Sequence, residues 1–129
     1  MRAVLYGSLA AVLGTFFWSA ASAVPAAPSG SELFNRRCAS CHNHQRGEPD
    51  KLGPNLACVK GRSAGARPGF AYSEAIRKSG IRWSNDNLDA FLTKPRAFLP
   101  GNRMMFAGLT DPTEREKIIT VLDTCEGRQ

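Results

Sequence analysis

Apolar residues are distributed unevenly along this 129-residue chain. Residues 1–23 hold 16 of its 55 apolar residues, and no charged residue lies between Arg2 and Glu32. From Val24 onward, Leu, Ile, Val and Phe together make up only 20 of 106 residues. That composition lies at the border where a chain can bury enough apolar surface to fold. We therefore expect something besides side chains to complete the core.

Helix signals dominate this remainder, and strand signals are nearly absent. The first three predicted helices each follow a serine that can cap them. Ser31 caps a helix that runs through Cys38, Ser73 caps one that runs to Ser79 with Gly80 as the stop, and Ser84 caps one that ends near Thr93, because Pro95 restricts Lys94. Residues 43–69 are predicted to be a long loop rich in Gly, Pro and Arg.

A fourth helix has the fullest signature. Asp111 is its predicted cap, Pro112 occupies its first position, and Glu114 is placed to complete a capping box. Its apolar face contains Ile118, Val121, Leu122 and Cys125, and Gly127 is its predicted end. The chain is thus predicted to form one all-α domain with little regular structure.

The first residues are typical of a cleaved secretory signal peptide. Arg2 precedes an uncharged apolar run that ends in Ala21-Ser22-Ala23, an A-x-A cleavage site. An uncleaved membrane anchor is the alternative, but the strongly apolar part is shorter than the ~20 residues that a span needs. We expect residues 1–23 to be removed, residues 24–29 to form a flexible leader and residues 30–129 to form the domain. Export would place the protein in the periplasm, an oxidising space, without stable membrane insertion.

The segment Cys38-Ala39-Ser40-Cys41-His42 carries the chemistry. C-x-x-C-H is the attachment motif of haem c, in which both sulfurs bond to the vinyl groups of one haem and the histidine ligates its iron. A redox dithiol would need a βαβ context, and a structural zinc site would need a second ligand pair at close spacing. We predict one covalently attached haem c.

Two methionines, Met104 and Met105, remain after signal cleavage as candidates for the sixth iron ligand. They follow a Pro100-Gly101 turn, and thioether ligation raises the reduction potential of a haem. His44 is a weaker candidate because it lies only two residues from His42, so we expect it to be a solvated surface histidine.

The ordered motifs resemble those of the class I cytochromes c over residues 30 to about 125. Shared motifs are Gly30 with Phe34, C-x-x-C-H at 38–42, Gly53-Pro54-Asn55-Leu56, Gly61-Arg62, Pro68-Gly69-Phe70-x-Tyr72-Ser73, Trp83, Leu88-x-x-Phe91-Leu92-x-x-Pro95, Pro100-Gly101-x-Arg103-Met104-x-Phe106-x-Gly108 and Thr113-Glu114-Arg115. The resemblance implies a small fold in which the N- and C-terminal helices cross and short helices and loops wrap one haem.

The resemblance also implies a role for each matching residue. Met104 is expected to be the axial ligand opposite His42, and the Pro54 carbonyl is expected to orient the His42 ring. The remaining roles are donors around the haem propionates for Arg62, Tyr72 and Trp83, the aromatic at the exposed haem edge for Phe106, and a close helix crossing for Gly30 and Phe34 with Ile118 and Val121.

Three positions depart from the mitochondrial pattern. Phe91 replaces a tyrosine, Ile76 an asparagine and Asn102 a threonine. The resemblance therefore implies a reduced hydrogen-bond network around Met104, or simple packing of Phe91 and Ile76 against the haem.

Cys58 and Cys125 are extra to the family pattern. In an exported protein two such cysteines are more often paired than free, and the resemblance places their regions in contact. We predict a disulfide, with two small buried thiols as the alternative.

The function implied is that of a soluble, monomeric one-electron carrier with a low-spin haem, and not that of an enzyme. Its partners would be acidic redox proteins: a bc-type complex, a cytochrome oxidase, a photosynthetic reaction centre or a dehydrogenase. Nucleic-acid binding is not expected because the basic residues are scattered. A dedicated acceptor subunit of a periplasmic dehydrogenase, a haem peroxidase and a gas-binding module are the alternatives. The basic docking residues implied are Arg37, Lys51, Arg96 and Arg103, with Arg36 and Lys94 nearby.

Overall fold

A computed structural model describes residues 25–123 and residue 125. The predicted signal peptide, residues 1–23, lies outside the described residues. The described part contains five helices, joined by loops: α1 (Gly30–Arg37), α2 (Glu74–Lys78), α3 (Asn85–Thr93), α4 (Pro95–Phe98) and α5 (Pro112–Leu122). Within these residues the extended chain forms a single isolated antiparallel bridge, between Ser63 and Arg82, and no sheet. The predicted all-α class is confirmed.

The cap of helix α1 lies two residues earlier than predicted, at Ser29 and not at Ser31. The Ser29 hydroxyl accepts a bond from the Glu32 N–H at 3.2 Å, and the Glu32 carboxylate accepts one from the Ser29 N–H at 2.7 Å. This capping box satisfies two donors at once and fixes where the helix starts. Ser29 therefore belongs to the folded domain.

Helices α2 and α3 have the caps predicted for them, Ser73 and Ser84. The sequence missed α4. Pro95 does end α3, since Lys94 leaves the helical conformation, but the same proline then occupies the first position of a new helix. Proline suits that position because its missing N–H would have no helical partner there.

Helix α5 starts as predicted and ends early. Asp111 caps it by accepting from the Thr113 N–H at 2.8 Å, while the Glu114 carboxylate lies 3.8 Å from Arg37 instead of closing the predicted capping box. The helix ends at Leu122 and not at Gly127, which lies outside the described residues. Cys125 is consequently beyond the helix rather than on its apolar face.

The crossing of α1 and α5 is the main contact between helices, and α3 packs against α5 and α4. A Cβ on Gly30 would lie 2.8 Å from Val121 Cγ2 and closer still to the Lys117 carbonyl, so only glycine lets the helices approach this closely. Phe34 and Ile118, each 1% exposed, fill the crossing. The buried core consists of Leu33, Phe34, Val59, Trp83, Leu88, Phe91, Leu92, Leu109, Ile118, Ile119 and Leu122. In the described part of the chain, every helix is too short or too polar to cross a membrane.

Candidate functional site

The C-x-x-C-H segment forms a tight turn wound onto the end of α1. The Cys38 N–H donates to the Phe34 carbonyl at 2.8 Å, and the N–H groups of Cys41 and His42 both donate to the Cys38 carbonyl, at 3.0 and 2.9 Å. Both cysteine side chains remain half-buried and unpaired. The local backbone therefore holds two thiols and one imidazole within a single turn beside the core.

The His42 ring is buried and has one orientation set by its neighbours. Its Nδ1 donates to the Pro54 carbonyl at 2.8 Å, which leaves Nε2 as the ring atom with a free lone pair. A Cβ on Gly53 would lie only 2.6 Å from Nδ1, so glycine is required where the chain passes the ring. Histidines that bind metals are commonly held in this way through the second ring nitrogen.

Burial keeps this imidazole neutral. It lowers the pKa of His42, and the nearby charge of Lys51 lowers it further, while the bond to Pro54 acts in the opposite direction. A neutral imidazole is the form that binds a metal. Burial also raises the pKa of the Cys38 thiol to about 11. A redox dithiol needs a nucleophilic cysteine with a lowered pKa, so the structure argues against that alternative.

The two methionines point in opposite directions. Met104 is half-buried and packs against the core, whereas Met105 is 89% exposed. The two lie in a segment without helix, in which exposed and half-buried residues alternate from residue 101 to residue 108. Of the two thioethers, only that of Met104 faces the interior.

Arg62, Tyr72 and Trp83 come together on one side of the core. Arg62 and Trp83 are joined through their backbones by a 3.0 Å bond from the Trp83 N–H to the Arg62 carbonyl. The Arg62 guanidinium donates to the carbonyls of Ala57 and Asn55, each at 3.1 Å. Burial lowers the pKa of Arg62 and raises that of Tyr72, and the interaction between the two side chains opposes both shifts. Two half-buried residues, Arg62 and Tyr72, and the buried Trp83 thus form a cluster with hydrogen-bond donors.

Phe106 is half-buried against the core, as are several other apolar side chains around the site. His44 differs from the expectation of a solvated histidine. It is half-buried and its ring lies 4.2 Å from that of Phe34, centroid to centroid. The Phe34 ring, in the middle of α1, offers it an apolar surface that the sequence did not indicate.

The expected loss of hydrogen bonds around Met104 is wrong at one of the three positions. Phe91 is buried among rings, 5.2 Å from Trp83 and 6.0 Å from Phe98, and Ile76 packs against the core. Asn102, however, forms three side-chain hydrogen bonds in the Met104 loop. The amide has both donors and an acceptor, so it can bond to more groups than the threonine it replaces.

Sequence reasoning gave no role to a buried arginine beside this site. Arg115 is 8% exposed, pairs with Asp89 at 2.7 Å and donates to the carbonyls of Leu109 and Thr110 at 2.8 and 3.0 Å. It thereby ties the chain that follows the methionine loop to α3 and α5. Its position one helical turn before Ile118 on the apolar face of α5 was the available signal.

Known proteins resemble this chain over most of its length. Cytochrome c from Cochliobolus lunatus is 40% identical over 97 residues, which cover 75% of this chain and 90% of that protein. Cytochrome c2 from Rhodomicrobium vannielii is 35% identical over 128 residues, 99% of this chain and all of that protein. Among solved structures, cytochrome cH from Methylobacterium extorquens matches with a TM-score of 0.69 and 38% identity, covering 74% of this chain and 94% of that one. No protein-family model matches the chain.

The chain belongs to the class I cytochromes c, which are electron carriers and not enzymes. Proteins of this family carry one covalently attached haem c. The residues present fit that group: two half-buried thiols, a neutral imidazole with a free Nε2, and an inward thioether. Apolar side chains that are only partly buried against the core supply further fitting surface, among them Leu56, Ala64, Ile76, Ile81, Phe98, Leu99 and Phe106.

Proposed function

We propose that this protein transfers single electrons through a low-spin haem c bonded to Cys38 and Cys41 and ligated by His42 and Met104. The observation that carries the proposal is the buried His42 ring, fixed through Nδ1 by Pro54 directly after two half-buried cysteines. When bound, the haem iron supplies the redox chemistry by alternating between its ferrous and ferric states.

The protein side chains set the surroundings in which that change occurs. Pro54 orients His42 and increases its basicity. Arg62, Tyr72 and Trp83 form a cluster of donors suited to the charged propionates of a haem. Phe106, partly buried against the core, would cover apolar surface at the exposed haem edge. With His42 and Met104 both holding the iron, the group would have no position open for a substrate.

The partners proposed are redox proteins with acidic docking faces, in the periplasm. All the basic side chains that the resemblance assigns to docking are exposed, which supports this proposal: Arg36, Arg37, Lys51, Lys94, Arg96 and Arg103. We call these six residues the basic set. Charge of one sign around an electron-transfer edge speeds encounter with an oppositely charged partner. A bc-type complex, an oxidase, a reaction centre or a dehydrogenase could each provide such a face.

We also propose that Cys58 and Cys125 form a disulfide. Their Cα atoms are 5.0 Å apart and their sulfur atoms are in contact, a separation that a disulfide spans. This pairing accounts for both cysteines that the haem does not use.

The axial ligand provides the sharpest test of the proposed function. In purified holoprotein, Met104→Ala should open the sixth position, give a high-spin ferric spectrum at neutral pH and let the ferrous protein bind carbon monoxide rapidly. Met105→Ala is the matched control, because its side chain is 89% exposed, and should leave both properties unchanged.

The wild-type protein itself can contradict the proposal. A high-spin ferric spectrum, or rapid carbon monoxide binding by the ferrous form, would show an open iron position. The carrier proposal would then give way to a peroxidase or a gas-binding module.

A further inference from the structure

We propose that Asn102 is the positioning residue that fixes which methionine faces the haem; this inference rests on the proposed ligation by Met104. The Asn102 amide donates through Nδ2 to the carbonyls of Pro95 and Leu99, at 2.8 and 2.7 Å. Its Oδ1 accepts from the Met104 N–H at 3.0 Å. One side chain thus joins the backbone of the ligand residue to both ends of α4.

Only an amide can make this set of bonds. The two N–H donors of the Asn102 amide bond to two backbone carbonyls, and its own carbonyl oxygen accepts from a backbone N–H, so each group has a partner. Threonine offers a single donor, and aspartate offers none and would face the carbonyls of Pro95 and Leu99 with a negative charge. The loop thus gains a set of bonds that the family's usual threonine cannot form.

The neighbouring residues hold the same loop without reaching α4. The Arg103 guanidinium donates to the Ala71 carbonyl at 3.0 Å. Gly101 has a φ of +85°, and a Cβ there would lie 3.3 Å from Ala75. The Arg103 bond attaches the loop to the chain just before α2, whereas the Asn102 side chain attaches it to the Pro95 and Leu99 carbonyls, beside a backbone bond from the Asn102 N–H to the Leu99 carbonyl at 3.2 Å.

Register matters here because Met104 and Met105 are adjacent and alternate between the interior and solvent. A shift of the loop by one residue would exchange the two thioethers. A loop that opens more often also exposes the iron to other ligands, in proportion to the open fraction. Asn102 acts on both events, because its bond to the Met104 N–H holds the residue and its bonds to α4 hold the loop.

Binding of imidazole to the ferric holoprotein measures this opening, because imidazole displaces the methionine only when the loop moves away. Asn102→Ala should bind imidazole at least roughly 10-fold more tightly than wild type, because it loses the three side-chain hydrogen bonds that hold the loop. Asn102→Asp should bind it at least as tightly as Asn102→Ala. Both should weaken the far-red absorption band that ferric haem shows only with methionine sulfur bound.

Asn87→Ala is the matched control. The Asn87 amide is likewise both donor and acceptor: it donates to the Arg82 carbonyl and accepts from the Ser84 N–H, each at 2.8 Å. These bonds stabilise the start of α3 and do not involve the methionine loop. The control variant should lower global stability while imidazole affinity stays within about 2-fold of wild type. If Asn102→Ala and Asn102→Asp also stay within that range, the inference is overturned.

A second measurement, made on the wild-type protein, tests the inference even if the Asn102 variants fail to take up haem. In the wild-type reduced holoprotein, hydrogen exchange at the Met104 amide should be roughly 10-fold slower than at the Met105 amide, after correction for intrinsic rates. Equal exchange would contradict the bond to Asn102. The proposed function fails separately: wild-type ferric protein without the far-red band would exclude Met104 as ligand, whatever the Asn102 variants do.

Discussion

Asp50 shows how much one side chain can organise in a domain with long loops. Its Oδ1 accepts from the Asn55 N–H at 2.6 Å and from the Arg67 guanidinium. Asn55, 1% exposed, in turn donates to the Gln45 and Glu48 carbonyls at 2.8 and 2.9 Å. The loop predicted for residues 43–69 is therefore ordered by internal polar contacts rather than by helix or strand.

The protonation of Asp50 should make this part of the fold sensitive to acid. Burial acts to raise the pKa of Asp50, but the Asn55 bond and the Arg67 guanidinium outweigh it and lower the pKa below its ordinary value of 3.8. A carboxyl with a lowered pKa stabilises the fold above its unfolded-state pKa and loses that contribution as pH falls through its folded-state pKa. Asp50→Asn should cost about 1–2 kcal/mol at neutral pH, and the difference from wild type should shrink as pH falls below about 4.

Denaturant unfolding of the reduced holoprotein across this pH range measures the difference. Glu116→Gln removes one exposed acidic charge without touching the loop and should shift stability by less than about 0.5 kcal/mol throughout. A penalty for Asp50→Asn that stays constant down to about pH 3 would show that its charge is not involved.

At the scale of elements, the end of α5 is attached to the loop formed by residues 43–69. Lys60 pairs with Asp123 at 2.6 Å, and the Arg46 guanidinium lies 2.9 Å from the Cys125 sulfur. Cys58, with a φ of +55°, lies beside Cys125. Polar contacts and the proposed disulfide thus anchor the chain where α5 has already ended at Leu122.

Thiol counting tests the disulfide. Denatured, unreduced holoprotein should contain no reactive thiol, because Cys38 and Cys41 are bonded to haem, and reduction should release two. Replacing Cys58 and Cys125 by serine should lower the free energy of unfolding by about 2–4 kcal/mol. This double variant should yield no thiol before or after reduction, and two thiols in unreduced wild type would exclude the pairing.

At the scale of the whole molecule, the relevant property is the formal charge of +6 and where it is exposed. Every residue of the basic set is at the surface, although Arg37 lies 3.8 Å from Glu114 and the Lys51 ammonium donates to the Ala39 carbonyl at 2.7 Å. Each such charge contributes little to stability at an exposed position. Together they produce a field that can guide an acidic partner.

Electron transfer to a cytochrome oxidase with an acidic docking face should therefore depend on salt. The second-order rate constant should fall roughly 10-fold between about 20 and 200 mM ionic strength. Arg96→Glu should lower it several-fold at low salt and have little effect at high salt. Arg82→Glu changes charge equally outside the basic set, so equal effects of the two variants at low salt would contradict a localised docking surface.

Local signals predicted most of the elements and the covalent chemistry. Caps at Ser73, Ser84 and Asp111 were correct because a cap depends on bonds to residues two or three positions away. Three of the errors, the cap at Ser31 instead of Ser29, the missed α4 and the end of α5 at Leu122 instead of Gly127, concern the boundaries of helices. Contacts such as that of Arg67 with Asp50 gave no sequence signal, since loop residues carry no periodic pattern.

The sequence by itself determined the class of site, because C-x-x-C-H places two thiols and an imidazole on one turn whatever the rest of the chain does. It offered two adjacent thioethers, and the resemblance selected one. Only the tertiary structure shows that Met104 packs against the core while Met105 is exposed, since two adjacent residues of one type carry no local signal that separates them. The neutral state of His42 likewise comes from burial by distant residues, which adjacent sequence cannot encode.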